Sequence, residues 1–170
     1  MSPRLPRKRL GQPEAPACAA IRIVSTHEEP DPNWDNAITF RAMSGATQVG
    51  YLDTYRYPDK SWLKSGLVEV DPNARRCKLG TRLYMAAADY ACREGLEMVS
   101  DTYRTEFSEG FWDKQRKRGR AACLPGEGHR LDPGGDMDKV VGTWPCERYK
   151  LKRCEVDLSG HRSPHRRRRK

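Results

Sequence analysis

Apolar and polar positions change period several times along the chain, and each change marks an element. AAIRIVST is an apolar-rich run of strand length, and HEEPDPNWDN, with two prolines, breaks it and precludes a long helix there. AITFRAM and TQVGYLDTYRY are β-rich runs on either side of Ser44, Gly45 and Ala46, the pattern of a hairpin. WLKSGLVEVDP gives another strand, with Leu67, Val68 and Val70 around Glu69 and Pro72 as its stop. The period then lengthens: Leu79, Leu83, Ala87, Tyr90 and Ala91 recur at helical spacing, and Gly95 supplies the C-terminal stop. Leu96 to Ser100 returns as a strand, so strand, helix and strand read as a right-handed βαβ crossover. Thr105 caps a second helix that runs to Arg118, with Phe107, Phe111 and Trp112 facing inward and Gly119 ending it. RAACLP reads as a strand, LPGEGHRLDPGGDMD as a long Gly/Pro-rich loop and TWPCERYKLKRCEVDL as a closing strand. Strands first, then βαβα, then two closing strands predict an α/β or α+β sheet with its helices on the crossovers.

The length of 170 residues suits one domain with a real core. We place it at 18–158, between a Pro- and Arg-rich arm at 1–17 and an Arg-rich tail at 159–170. The net charge of +9 changes meaning once located, because residues 1–10 and 161–170 hold ten cations and no acid, which leaves the rest at −1. A near-neutral body is not a basic nucleic-acid-binding core. The tail HRSPHRRRRK keeps that role open for itself, as a nucleic-acid contact, a localisation signal or a merely solvated run. Cys18, Cys77, Cys92, Cys123, Cys146 and Cys154 form no CxxC pair, and the simplest reading is buried thiols in a reducing cytoplasm. Cys123, His129, Cys146 and Cys154 match no common zinc spacing, and His161 and His165 lie in the tail, so no metal is expected. No apolar run reaches the roughly 20 residues a membrane helix needs.

Candidate chemistry concentrates between Pro72 and Gly95. Arg75, Arg76, Lys78 and Arg82 crowd the turn before the first helix, and Gly80 sits at its start. Cations there meet the free N–H groups and positive dipole end of a helix, which is an anion site and most simply a phosphate site.

The turn, its helix and the second helix together resemble the GNAT superfamily of N-acetyltransferases, over about Cys18 to Lys152. That family carries a turn Gln/Arg-x-x-Gly-x-Gly/Ala whose amides hold the coenzyme A pyrophosphate. Here Arg75, Arg76, Cys77, Lys78, Leu79 and Gly80 match at Arg75 and Gly80 and place Lys78 where the first glycine is expected. Pro72 and Thr81 also fit. FSEGFWDKQRKRG looks like the family helix lining the other side of the acetyl-CoA cleft, which brings in Thr105 and Trp112. Trp112 replaces the tyrosine that often protonates the departing thiolate, and an indole N–H cannot do so. Tyr103 or Cys123 is left as the acid, or water.

The resemblance implies a mixed, mostly antiparallel central sheet of six to seven strands with a V-shaped cofactor cleft. It implies an enzyme moving acetyl from acetyl-CoA, without a metal, to a primary amine of a small molecule or protein. In that cleft the main chain of Val68 and Val70 would meet the pantetheine arm. Glu69, on the opposite face of the strand, would be the general base or a bland surface carboxylate. Glu127, Asp132, Asp136 and Asp138 on the long loop would attract a cationic acceptor or be merely solvated. The competing function is a catalytically inactive GNAT-like binding or regulatory module whose basic tails contact nucleic acid.

Overall fold

The computed structural model describes residues 16–27 and 37–151. Residues 1–15 of the arm, the Pro-broken stretch at 28–36, Cys154, His161, His165 and the Arg-rich tail with its nucleic-acid role lie outside the described residues.

A 3-10 turn, Cys18–Ala20, leads into β1 (Ile21–His27). β2 (Ala37–Ser44) and β3 (Thr47–Tyr57) form the expected hairpin, with Gly45 at φ +60° in its turn. β4 (Trp62–Val70) is antiparallel to β3. A 3-10 turn over Pro72–Cys77, capped by the Asp71 carboxylate on the Asn73 amide, delivers the chain to α1 (Leu79–Arg93). β5 (Glu97–Val99) and β6 (Tyr103–Arg104) follow. Thr105 caps α2 (Glu106–Lys117) by accepting from the Ser108 amide, as the sequence predicts.

Beyond α2 the expectations need correction. The Gly/Pro-rich stretch is not a bare loop: β8 (Gly128–Leu131) lies inside it. The closing segment is two strands, β9 (Val140–Trp144) and β10 (Arg148–Leu151). With β7 (Ala121–Leu124), the main sheet runs β1-β2-β3-β4-β5-β10-β7, antiparallel except where β4 meets β5, and β6-β8-β9 make a separate small sheet. The mixed, mostly antiparallel sheet with a βαβ crossover is thus present.

The cysteines are the second correction. Cys18 is bonded to Cys77 and Cys123 to Cys146, and Cys92 is disulfide-bonded as well. They act as staples rather than as small apolar thiols.

The core lies between the sheet and the two helices. α1 packs on β2, β3, β4 and β5 through Leu79, Leu83, Tyr84, Ala87 and Ala91, all buried. Tyr84 stacks on Phe111 of α2 with centroids 4.2 Å apart, and its hydroxyl shares a 2.9 Å hydrogen bond with the Ser108 hydroxyl. Burial pushes the Tyr84 hydroxyl up to about 12, more than its hydrogen bonds pull it back. The folded value exceeds the unfolded value of about 10, so the neutral hydroxyl contributes stability that is complete below pH 10 and lost as pH climbs toward 12. Thermal melts across pH 9 to 12 should therefore show a Tm that falls less steeply in Tyr84→Phe than in the parent, and parallel curves would remove Tyr84 as the cause. Among the described residues no helix is long and apolar enough to cross a membrane.

Candidate active site

The site begins where two parallel strands part. β4 and β5 pair over three residues, Trp62 with Glu97, Leu63 with Met98 and Lys64 with Val99. β4 then continues to Val70 with no strand beside that edge among the described residues, whereas β5 turns its pairing to β10. The result is the V-shaped opening. The β3–β4 register shifts between Leu52 and Thr54, which puts one extra residue into β4. That residue reverses which positions face the core: Leu63 and Ser65 are buried before it, Val68 and Val70 pack against the core after it, and Leu67 and Glu69 are exposed.

At the fork the Lys64 ammonium lies 3.2 Å from Asp101, with the rings of Tyr55 and Tyr57 at 5.4 and 5.7 Å. Glu69 faces Tyr51 across the strands and accepts its hydroxyl at 2.9 Å. Burial, that hydrogen bond and the charges of Glu69 and Asp53 push the Tyr51 hydroxyl up to about 12. The two groups are locked as phenol donor and carboxylate acceptor.

One wall of the opening is the N-terminal turn of α1. Lys78 is its N-cap in the left-handed region, φ 53° and ψ 35°, and offers no side-chain cap. For a lysine this costs about 1–2 kcal/mol. The amides of Leu79, Gly80 and Thr81 belong to the first helical turn, where N–H groups have no intrahelical acceptor. The cation cluster divides. Arg75, Arg76 and Lys78 are exposed. Arg82 instead turns to the chain's beginning and donates to the carbonyls of Cys18 at 3.1 Å and Ile21 at 2.6 Å, while Arg76 donates to Pro16.

The first turn of α2 stands opposite. A methyl group at Gly80 would run into the Phe107 ring, so the two helix starts touch through that ring. Phe107 is 54% exposed, not inward-facing: it lies at the mouth rather than in the core. Gly135 sits between Leu67 and Thr105, since a Cβ on it would lie 3.0 Å from the first and 3.6 Å from the second. The acidic loop therefore spans the opening from β4 to α2. Its acids partly serve the loop itself: Asp132 accepts the Asp136 amide, Asp136 accepts the Asp138 amide, and Lys139 pairs with Asp136 at 3.2 Å.

Two sequence expectations lose their chemistry. Trp112 is completely buried among Tyr84, Phe111 and Tyr149, so its side chain supports the wall from within and cannot touch a ligand. Cys123 is disulfide-bonded to Cys146 and has no thiol proton to give. Tyr103, half-buried, lies against His129 in the small sheet, ring centroids 4.5 Å apart and tilted by 30°.

Sequence reasoning missed the group that holds these walls together. Arg104 is buried; it donates to Glu109 at 2.7 Å, to the carbonyls of Cys146 and Glu147 at 2.6 and 2.8 Å, and to the Asp101 carbonyl. Tyr149 donates to the other Glu109 oxygen at 2.7 Å. Gly128 passes so close that a Cβ would meet both the Arg104 guanidinium and the Cys146 carbonyl, which is why that position takes glycine. The Arg104–Glu109 spacing of five residues follows no helix or strand period, so no local pattern could have revealed it.

The acetyltransferase (GNAT) family model matches residues 14–116. The chain belongs to that family. It is a GNAT acyltransferase, and the matched span contains β1 to β6, the basic turn and most of α2. No curated protein sequence matches it. Among solved structures, Tetrahymena GCN5 is 14% identical, with 71% of each chain covered and a TM-score of 0.48. A Bacillus subtilis acetyltransferase in complex with CoA is 13% identical over 68% of this chain and 76% of its own, with a TM-score of 0.47. A GNAT-family acetyltransferase from Staphylococcus aureus is 12% identical over 68% of this chain, which spans 66% of that protein, with a TM-score of 0.43. These likenesses say nothing of the acceptor of this GNAT chain.

Proposed function

We propose that this GNAT chain transfers an acetyl group from acetyl-CoA to a primary amine. The observation that carries the reading is the parting of β4 from β5 immediately beside the free N-terminal amides of α1. The residues fit the cofactor. Gly80, buried under the Phe107 ring, keeps the helix start free of a side chain of its own, Lys78 and Arg75 add exposed cations for a pyrophosphate, and the β4 edge at Val68 and Val70, with no strand beside it among the described residues, offers main-chain partners for an amide-bearing arm. Arg76, Cys77, Leu79 and Thr81 contribute through the same turn, and Thr105 through the facing helix start. Bound acetyl-CoA supplies the activated acetyl group.

The chain's own groups then have three tasks. A carboxylate must take a proton from the incoming ammonium, and Glu69, held by Tyr51 on the exposed face beside the opening, has the position for it. A β4 amide can meet the thioester oxygen as it gains charge. The departing thiolate needs a proton, for which Tyr103 and water are the remaining donors. Asp53 and Glu69, whose charges both act on the Tyr51 hydroxyl, together with the loop acids, would favour a cationic acceptor.

Placement in the cytoplasm, the simplest reading of the cysteine spacing, has to accommodate these disulfides, which form and persist in oxidising surroundings. We therefore favour an oxidising compartment.

Calorimetric titration should give micromolar binding of coenzyme A, and a panel of polyamines, aminoglycosides and lysine peptides should release free thiol from acetyl-CoA. Absence of both heat and thermal shift at millimolar coenzyme A would sink the cofactor reading. Binding without thiol release for any cationic amine would sink the acceptor class.

A further inference from the structure

The residue that departs from the family turn, Lys78, has a conformation that lysine does not choose. Its αL backbone persists only if its neighbours dictate it. Within the turn its amide donates to the Arg75 carbonyl at 3.2 Å and its carbonyl accepts the Arg82 amide at 3.1 Å. The two adjacent residues are fixed as well. Leu79 is completely buried, and Cys77 is 7% exposed and bonded to Cys18, 59 residues earlier. Cys18 is in turn anchored: three residues on, Ile21 is buried at the start of β1, whose whole length is paired with β2. Arg82 closes the loop by holding the Cys18 and Ile21 carbonyls. The turn is thus tied to the sheet through the disulfide on one side and to the core through Leu79 on the other, with Lys78 clamped between.

We infer that the Cys18–Cys77 disulfide is a positioning element of the cofactor site. It enforces the left-handed Lys78 and so fixes where the chain enters α1, with the amides of the first helical turn and the Lys78 side chain beside them. Without it Lys78 relaxes into a right-handed or extended conformation and the cradle opens. A glycine at this position would need no such clamp, because it enters the αL region without a Cβ penalty. The disulfide substitutes for the glycine that the turn lacks. This inference rests on the cofactor reading above, and it makes cofactor affinity depend on the oxidation state of one cysteine pair.

The test is a four-protein square: parent, Cys18→Ser/Cys77→Ser, Lys78→Gly, and all three substitutions together. Substitution is used instead of a thiol reductant, which would also open Cys123–Cys146 and the bond at Cys92. Coenzyme A titration should show affinity about tenfold weaker when the disulfide is removed beside Lys78, and less than about twofold weaker when it is removed beside Gly at 78. Equal weakening in both backgrounds means that the disulfide acts through general stability, and no weakening in either means that it does not act on the turn; each result overturns the proposal. Melts without ligand give a second readout. Lys78→Gly should raise Tm by about 2–4 °C while the disulfide is present and should not raise it once the disulfide is gone. If the parent itself binds no coenzyme A, the cofactor reading fails, and this ligand-free comparison still decides whether the disulfide holds Lys78.

Discussion

Replacing Arg104 by Met should lower stability by about 3–5 kcal/mol, which for a chain of this length is a fall in Tm of roughly 6–20 °C. The loss exceeds that of a surface ion pair for a physical reason. The Arg104 side chain is 0% exposed and Glu109 9%, so methionine fills much of the volume but leaves a carboxylate buried without its cation. The Cys146 and Glu147 carbonyls lose their donor at the same time. The companion variant Arg104→Met/Glu109→Gln isolates the cause. It should recover part of the loss, because a neutral amide can still accept the Tyr149 hydroxyl. Thermal and urea melts of both variants and of Glu109→Gln alone give the double-mutant cycle, and a fully additive cycle would show that the pair is not the source of the effect.

Glu69→Gln should reduce kcat about 100-fold or more while leaving the affinity for coenzyme A near that of the parent, since a positioned general base contributes about 10²–10⁴-fold. Tyr51→Phe should cost far less, because it removes only the group that orients the carboxylate. Measuring kcat and KM for both substrates across pH separates these roles. An unaltered kcat in Glu69→Gln would assign the proton to water and return Glu69 to the status of a surface residue.

What the sequence could disclose about this molecule depended on how local each determinant is. α1 and α2 were legible because a 3.6-residue apolar period, a threonine cap and terminal glycines all act within a turn or two of chain. The β2–β3 hairpin was legible for the same reason. The ribbon of β8 and β9 was not, because its glycines and prolines read as loop and its partner β6 lies some 25 residues upstream in a pairing with no local trace. The extra residue in β4 was equally hidden, although the faces of Val68, Val70 and Glu69 came out as alternation predicts because those residues all lie beyond it. Phe107 shares a helical face with Phe111, yet the face leaves the core at the helix start, where the ring meets Gly80 instead. The candidate site was legible in its turn chemistry and obscure in its cysteines, since disulfides closing 59 and 23 residues carry no spacing signature. Arg82 belonged to the basic cluster in sequence but is carried away from it by helical rotation.

The place of β10 in the sheet has a consequence for the order in which the molecule is assembled. It is the last described strand in the chain and yet lies between β5 and β7, so neither of those strands gains its full set of partners until residues 148–151 arrive. β1 to β4 and α1 form from neighbours in sequence and can settle early, whereas closure of the sheet waits for a pairing about fifty residues long in range. During synthesis the half of the cleft built from β4 and α1 therefore exists before its far half. A nascent chain stopped short of Arg148 would present an exposed edge of β5, open to mispairing with other chains.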